Sequence, residues 1–250
     1  MTIALAAALP AELSGIRKLG RFTKGCPRRD DVLGDMCYLK GDIHGVDVAL
    51  FVSGVGDARA YETAKNACAA ISPRAYISVG LSGALKADLT PGDVIIGEST
   101  ATLTQKAGEA FMPDGELLRL AMDALQGAGS VRAGALLASP NVAVTSVEKK
   151  ALALAYRCAA LDMETAGAAR ACDEAGVPFL AIRAISDTLD EDLPVDFNRF
   201  MAEGGLDWPR FLLHVLTHPF VIPGLVRLGM QSSLAERNLA SAIGRVLGKL

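Results

Sequence analysis

Residues 161–190, LDMETAGAARACDEAGVPFLAIRAISDTLD, decide the fold. The segment 159–163 is apolar apart from Asp162, which predicts the end of a buried strand. Ala166, Ala168, Ala169 and Cys172 then form the small-residue face of a helix, and Gly176 followed by Val177-Pro178 stops it. Residues 179–185 are a nearly continuous apolar run, the pattern of a strand covered on both faces. Each strand delivers a carboxylate near its end: Glu164 where the helix begins, and Asp187 just past the second strand. Such a charge is unfavourable unless solvated or paired. Each is therefore a candidate for chemistry, beside the plainer roles of helix-start and turn residue.

Outward from there, strands and helices alternate. Residues 3–9 predict a first buried strand, with Pro10 opening a helix through Arg17 and Lys18. Residues 20–35, with Gly25, Pro27 and Gly34, predict a loop, and 36–43 with 46–53 a hairpin across His44-Gly45. Gly54-Val55-Gly56 precedes a helix over 58–70. This GVG resembles the start of a dinucleotide fingerprint, but Arg59 stands where a third glycine is needed, and the next strand ends without an acid. Residues 75–79 predict a strand and 80–85, GLSGAL, a small-residue loop. That loop is either a tight turn or a place where backbone N–H groups approach an anion or sugar oxygen. A turn at 90–93, a strand at 94–97, a helix at 116–125, a strand at 133–138 and a helix at 147–155 complete one α/β sandwich over residues 1–190.

Residues 191–250 differ in character. An acidic, irregular stretch to 205 is followed by apolar runs at 211–216 and 220–226, broken by Pro219 and Pro223. Leu234, Leu239, Ile243, Val246 and Leu247 stripe a final helix with Arg237, Arg245 and Lys249 on its other side. This helical extension is either a cap or subunit contact, or a greasy, basic-edged surface for a membrane or lipid-like substrate.

Composition narrows the function. With 51% hydrophobic and 21% charged residues, the 250-residue chain can bury a large core. A net charge of −3 argues against a nucleic-acid partner. Five scattered cysteines, none spaced CxxC, predict reduced cytosolic thiols, and three histidines lack ligand spacing, so no metal is expected. Residues 3–9 lack a basic leader and a long apolar region, and no run reaches about 18 apolar residues, so neither a signal peptide nor a span is expected.

Three motifs together, VGLSGALKADLTPGDVIIG (79–97), LDMETAGAARAC (161–172) and VPFLAIRAISD (177–187), resemble the nucleoside phosphorylase/nucleosidase superfamily. Its methylthioadenosine/S-adenosylhomocysteine nucleosidase branch is similar over about residues 1–190, and HPFVIPGLVRLG (218–229) resembles phosphorylase-like members associated with hopanoid lipid biosynthesis. The resemblance implies a three-layer α/β sandwich with a central mixed twisted sheet and homo-oligomers. It implies cleavage of a purine nucleoside's N-glycosidic bond by water or phosphate, with no cofactor.

By the same resemblance Asp187 is the acid at the base's N7, its proton held by desolvation at a buried strand end. Glu164 binds the ribose hydroxyls, Met163 packs on the sugar, Glu12 activates water and Arg183 orients the acids. Ser82 and Gly83 fall one position from the family's serine loop, and Val142 and Ala143 replace an aromatic that stacks on adenine. Phosphate would need cations, for which Arg59, Arg17 and Lys18 are the candidates. The lost aromatic and the greasy C-terminus together point to an adenine nucleoside with a bulky apolar 5′ group, adenosylhopane being the specific expectation. Peripheral membrane contact by a cytosolic enzyme goes with it. The alternatives are a general methylthioadenosine nucleosidase and a non-catalytic nucleoside- or lipid-binding protein.

Overall fold

A computed structural model describes residues 2–25, 38–103, 110–202 and 205–250. In chain order the first half comprises β1 (Ile3–Ala7), α1 (Ser14–Arg17), β2 (Arg21–Gly25), β3 (Tyr38–Ile43), β4 (Val46–Val52), α2 (Asp57–Ile71), β5 (Ala75–Ala84) and β6 (Val94–Thr102). Then follow α3 (Gly115–Leu125), β7 (Val131–Ala138), α4 (Ser146–Tyr156), β8 (Ala160–Asp162), α5 (Thr165–Ala175) and β9 (Phe179–Asp187). A 3₁₀ turn (Phe197–Phe200), β10 (Met201–Ala202), β11 (Gly205–Leu206), α6 (Trp208–Thr217), a second 3₁₀ turn (Pro219–Val221) and α7 (Ile222–Leu247) complete the described chain.

Among the described residues nine strands form one mixed sheet in the order β2-β3-β4-β1-β5-β8-β7-β6-β9. β5 also pairs with β9, so one end of the sheet closes on itself. Alternating side chains of the central strands feed two cores. Ile3, Leu5, Ile77, Leu180 and Ile182 face α3 and α7 through Leu117, Leu239 and Ile243. Ala4, Ala6, Tyr76 and Ala181 face α2 and α5, whose contact is built from Ala60, Ala64, Ala168 and Cys172. The small residues let these helices approach: a Cβ on Gly167 would lie 2.0 Å from the Asp57 carbonyl oxygen.

The predicted elements recur with four corrections. Residues 21–25 of the expected loop form edge strand β2, paired antiparallel with β3, and the rest of that loop lies outside the described residues. The helix expected from Pro10 is only four residues long. Turns precede it, and Glu12 in them bonds to Leu9 and Leu81 N–H groups. The expected loop at 80–85 is strand: β5 runs on to Ala84 with a register shift between Ser82 and Gly83. Its glycines serve close approach, since a Cβ on Gly80 would lie 2.9 Å from Glu12 Oε1 and one on Gly83 3.1 Å from Asp187 Oδ2. Pro223 does not break a helix but sits in the first turn of α7, where its missing N–H leaves no bond unmade.

The C-terminal half of α7 is buried in the main core, whereas α6 and the preceding 3₁₀ turn pack around Val195, Phe200, Phe211 and Val221. Among the described residues no single helix is long and apolar enough to cross a membrane.

Candidate active site

A cavity of about 250 Å³ opens at the carboxyl ends of β1, β5, β8 and β9. Glu12, Ser82, Gly83, Val142, Ala143, Met163, Glu164 and Asp187 all line it. Residues far apart in sequence thus meet because β1, β5 and β9 run parallel and end on one side, with β8 paired antiparallel to the end of β5.

Glu12 is 7% exposed and anchored at both oxygens: Leu9 N–H donates to Oε2 and Leu81 N–H to Oε1, each at 2.8 Å. Burial pushes its carboxyl above the usual range, with the two N–H groups and the Arg183 charge opposing. Glu164 receives the Gly56 N–H at 2.8 Å, which gives the GVG turn its role. Gly56 has φ 105°, a conformation that glycine adopts readily. Burial first, then the charge of Asp162, push the Glu164 carboxyl up to about 8.

Asp187 is 6% exposed, and its partner is not Arg183, which the resemblance implied. Lys149 Nζ lies 2.5 Å from Oδ2, and the Ser186 hydroxyl donates to Oδ1 at 2.7 Å. A buried strand end offers no water to a carboxylate, and the chain supplies an ammonium and a hydroxyl instead.

Arg183 does not line this cavity and does not reach Asp187. Its Nε donates to Asp162 Oδ2 at 2.6 Å, and Nη2 reaches Ser78 Oγ at 2.9 Å and Thr165 Oγ1 at 2.6 Å. The register shift that pairs Ser82 with Ile185 but Gly83 with Asp187 leaves Ser186 as an extra residue, so Arg183 and Asp187 take opposite faces of β9 and the arginine serves the floor beneath the site. With Glu12, Ser53, Ser78 and Glu164 it borders a second cavity of about 10 Å³, the size of one water molecule. Arg17, Lys18 and Arg59, the cations considered for phosphate, are exposed and line neither cavity.

Val142 and Ala143 form part of the wall, but both backbone groups of Val142 are already engaged. Its N–H donates to Asn198 Oδ1 and its carbonyl accepts from Asn198 Nδ2, each at 2.9 Å. Ser82 Oγ is buried beside the cavity with no hydrogen-bond partner among the described residues. Leu9, Val55, Leu193, Phe197 and Leu228 add an apolar wall.

Sequence reasoning missed Lys149, Ser186 and Asn198. A signal for Lys149 existed. Thr145 and Glu148 make a capping box that fixes the start of α4. Lys149 then shares the inward face with Leu152 and Ala153, at i, i+3 and i+4. Asn198 carried none, because its contact with Val142 spans 56 residues.

The chain matches the family model described as "Phosphorylase superfamily" over residues 2–216. It is 28% identical over 185 residues to the 5'-methylthioadenosine/S-adenosylhomocysteine nucleosidase of Shewanella halifaxensis, covering 67% of this chain and 80% of that one. Its structure is similar to that of the corresponding nucleosidase of Neisseria meningitidis in complex with methylthio-immucillin-A, with TM-score 0.77 at 21% identity over 100% and 99% of the two chains. It is equally similar to futalosine hydrolase of Helicobacter pylori, with TM-score 0.77 at 17% identity over 100% and 98%.

Proposed function

Since the chain belongs to the phosphorylase superfamily, we propose that it cleaves the N-glycosidic bond of a purine nucleoside, adenine being the base. The carrying observation is that Glu12, Glu164 and Asp187 border one cavity. Breaking the C1′–N9 bond leaves positive charge on the ribose ring and negative charge on the base. In this reading Asp187 gives its proton to N7, and Glu164 holds the ribose hydroxyls and faces the cationic ring. Glu12 takes a proton from the attacking water as oxygen bonds to C1′.

Water is favoured over phosphate. The exposed Arg17, Lys18 and Arg59 stand apart from the cavity, and the one lysine in its lining, Lys149, is already engaged by three oxygens. The water-sized cavity beside Glu12 supports the same choice.

For the 5′ group we favour a bulky apolar substituent, adenosylhopane being the specific candidate. Phe197, Leu193 and Leu228 wall the cavity, and Ile222, Val226 and Met230 form an exposed apolar stripe along α7. Leu212, Leu216 and Phe220 are likewise exposed, and such apolar side chains suit peripheral contact with a lipid bilayer. Similarity to the Shewanella halifaxensis protein favours methylthioadenosine or S-adenosylhomocysteine as a second reading.

The test is adenine release from adenosine, methylthioadenosine and a lipid-linked adenosine, each with and without phosphate. We expect phosphate-independent release, fastest from the lipid-linked substrate. Faster release from methylthioadenosine would select the second reading. A phosphate requirement would make the enzyme a phosphorylase, and no release from any of the three would point to a binding protein.

A further inference from the structure

The buried lysine of α4 has no part in the chemistry proposed above. Lys149 is 1% exposed, whereas its neighbour Lys150 points outward to Asp190 at 2.7 Å. An ammonium has three N–H donors, and all three of Lys149's are used. One goes to Asp187 Oδ2 at 2.5 Å, one to the Thr188 carbonyl at 2.9 Å and one to the Glu191 carbonyl at 2.8 Å. None remains for a ligand. Yet two of its three partners are the chain just past Asp187, so the lysine fixes the acid and its backbone together.

We propose that Lys149 is the positioning residue of the acid: it aims the Asp187 carboxyl into the cavity and stabilises the negative charge that carboxyl acquires on giving its proton to the base. The inference rests on the nucleoside-cleaving reading. In the step, the O–H bond of Asp187 breaks as N7–H forms, and the C1′–N9 electron pair leaves with the base. The carboxylate so formed lies 2.5 Å from an ammonium already held in place, with no water needed to reorganise. Ser186, donating to the other oxygen, completes the cradle.

The other charges around the pair are arranged differently. Across the cavity lie Glu12 and Glu164, and beneath it the Arg183–Asp162 pair. After β9, Asp190 pairs with Lys150 and Glu191 with Arg227 of α7, while Asp192 accepts from the Ser146 N–H. Glu148, on α4, is turned back onto the Val144 and Thr145 N–H groups. The short cation contact of Asp187 is Lys149 alone among the described ion pairs.

The experiment measures kcat and KM from pH 5 to 9 for wild type, Lys149→Met, Lys149→Gln and Lys149→Arg. The substrate is the one of the three nucleosides that wild type cleaves fastest, and thermal melting confirms folding. Both neutral variants should lose about 10²-fold in kcat with KM changed by less than about threefold. The alkaline limb of the kcat profile should move to higher pH in both neutral variants, because the ammonium beside the reacting carboxyl is gone. Lys149→Arg should keep the wild-type limb and recover part of the rate. Wild-type kcat in a neutral variant, or a uniform loss with an unmoved limb, would overturn the inference. So would unfolding of both neutral variants, which would make the lysine structural. A wild type silent on every nucleoside would instead sink the underlying reading.

Discussion

Arg183 and Asp162 form a buried pair at the floor of the candidate site, Nε to Oδ2 at 2.6 Å, with side chains only 2% and 1% exposed. Thr165 donates its hydroxyl to the same carboxylate oxygen, and its N–H reaches the other. Removing one partner of such a pair strands the other in a place without water. Arg183→Met should therefore lower the unfolding free energy by about 3–5 kcal/mol in urea titration. A loss of activity with unchanged stability would instead assign Arg183 to the chemistry.

Glu164 links stability to pH. Its carboxyl is raised to about 8 by burial and by Asp162. The folded chain thus holds a proton that the unfolded chain releases near pH 4.5. The contribution is fully present below about 4.5 and is lost as pH climbs through about 8, amounting to roughly 2–5 kcal/mol. Glu12, also raised, acts in the same direction. Between pH 5 and 9 the melting temperature of Glu164→Gln should fall less steeply than that of wild type. Parallel curves would show that the folded carboxyl titrates normally.

Two glycines of β5 are spacers for the acids. Gly83→Ala places a methyl 3.1 Å from Asp187 Oδ2, and Gly80→Ala one 2.9 Å from Glu12 Oε1. Each should reduce kcat by at least about tenfold, because an ångström of misplacement at the reacting groups is expensive. Stability should change far less than in Arg183→Met. Full activity in both alanine variants would mean that these carboxylates move freely.

Asp187→Asn removes the proposed proton donor while keeping the shape and the contact to Ser186. Base release should disappear, and adenine binding, followed by calorimetry, should stay within about tenfold of wild type. Equal loss of both would make Asp187 structural.

The apolar surface allows a separate check. Leu216 and Phe220 are 78% and 77% exposed on α6 and the turn after it. Replacing both by serine should abolish sedimentation with phospholipid vesicles and leave cleavage of a water-soluble nucleoside unchanged. Persistent sedimentation would rule this patch out as the contact.

The strands and helices were legible because their periods were clean: alanine and cysteine on α2 and α5, unbroken apolar runs on β1, β5 and β9. Glu164 and Asp187 stood out because each follows an apolar run, whereas Glu12 was singled out only by the family resemblance; the structure places all three on one cavity. The glycines of 80–85 misled, since in a strand they mark close approach of neighbours as readily as a turn. Arg183 sits with Asp162, Glu12 and Glu164 and away from Asp187, because strand alternation, which alone would put positions 183 and 187 on one face, is reversed by the register shift opposite Ser82 and Gly83. Lys149, Ser186 and Asn198 depend on contacts that exist only once the sheet has closed.

That closure has a kinetic consequence. Leu81 reaches Glu12 across 69 residues, Gly56 reaches Glu164 across 108, and Lys149 reaches Asp187 across 38. Each of these links demands that a long loop be closed before it returns any stabilisation. Local helices form early, but mixed sheets dominated by distant pairings form slowly. The three carboxylates are therefore brought together among the last events of folding, and a partly folded chain cannot carry a partly working site. Enzymatic activity, recovered after denaturation, thus marks the moment at which the most distant parts of the chain have found one another.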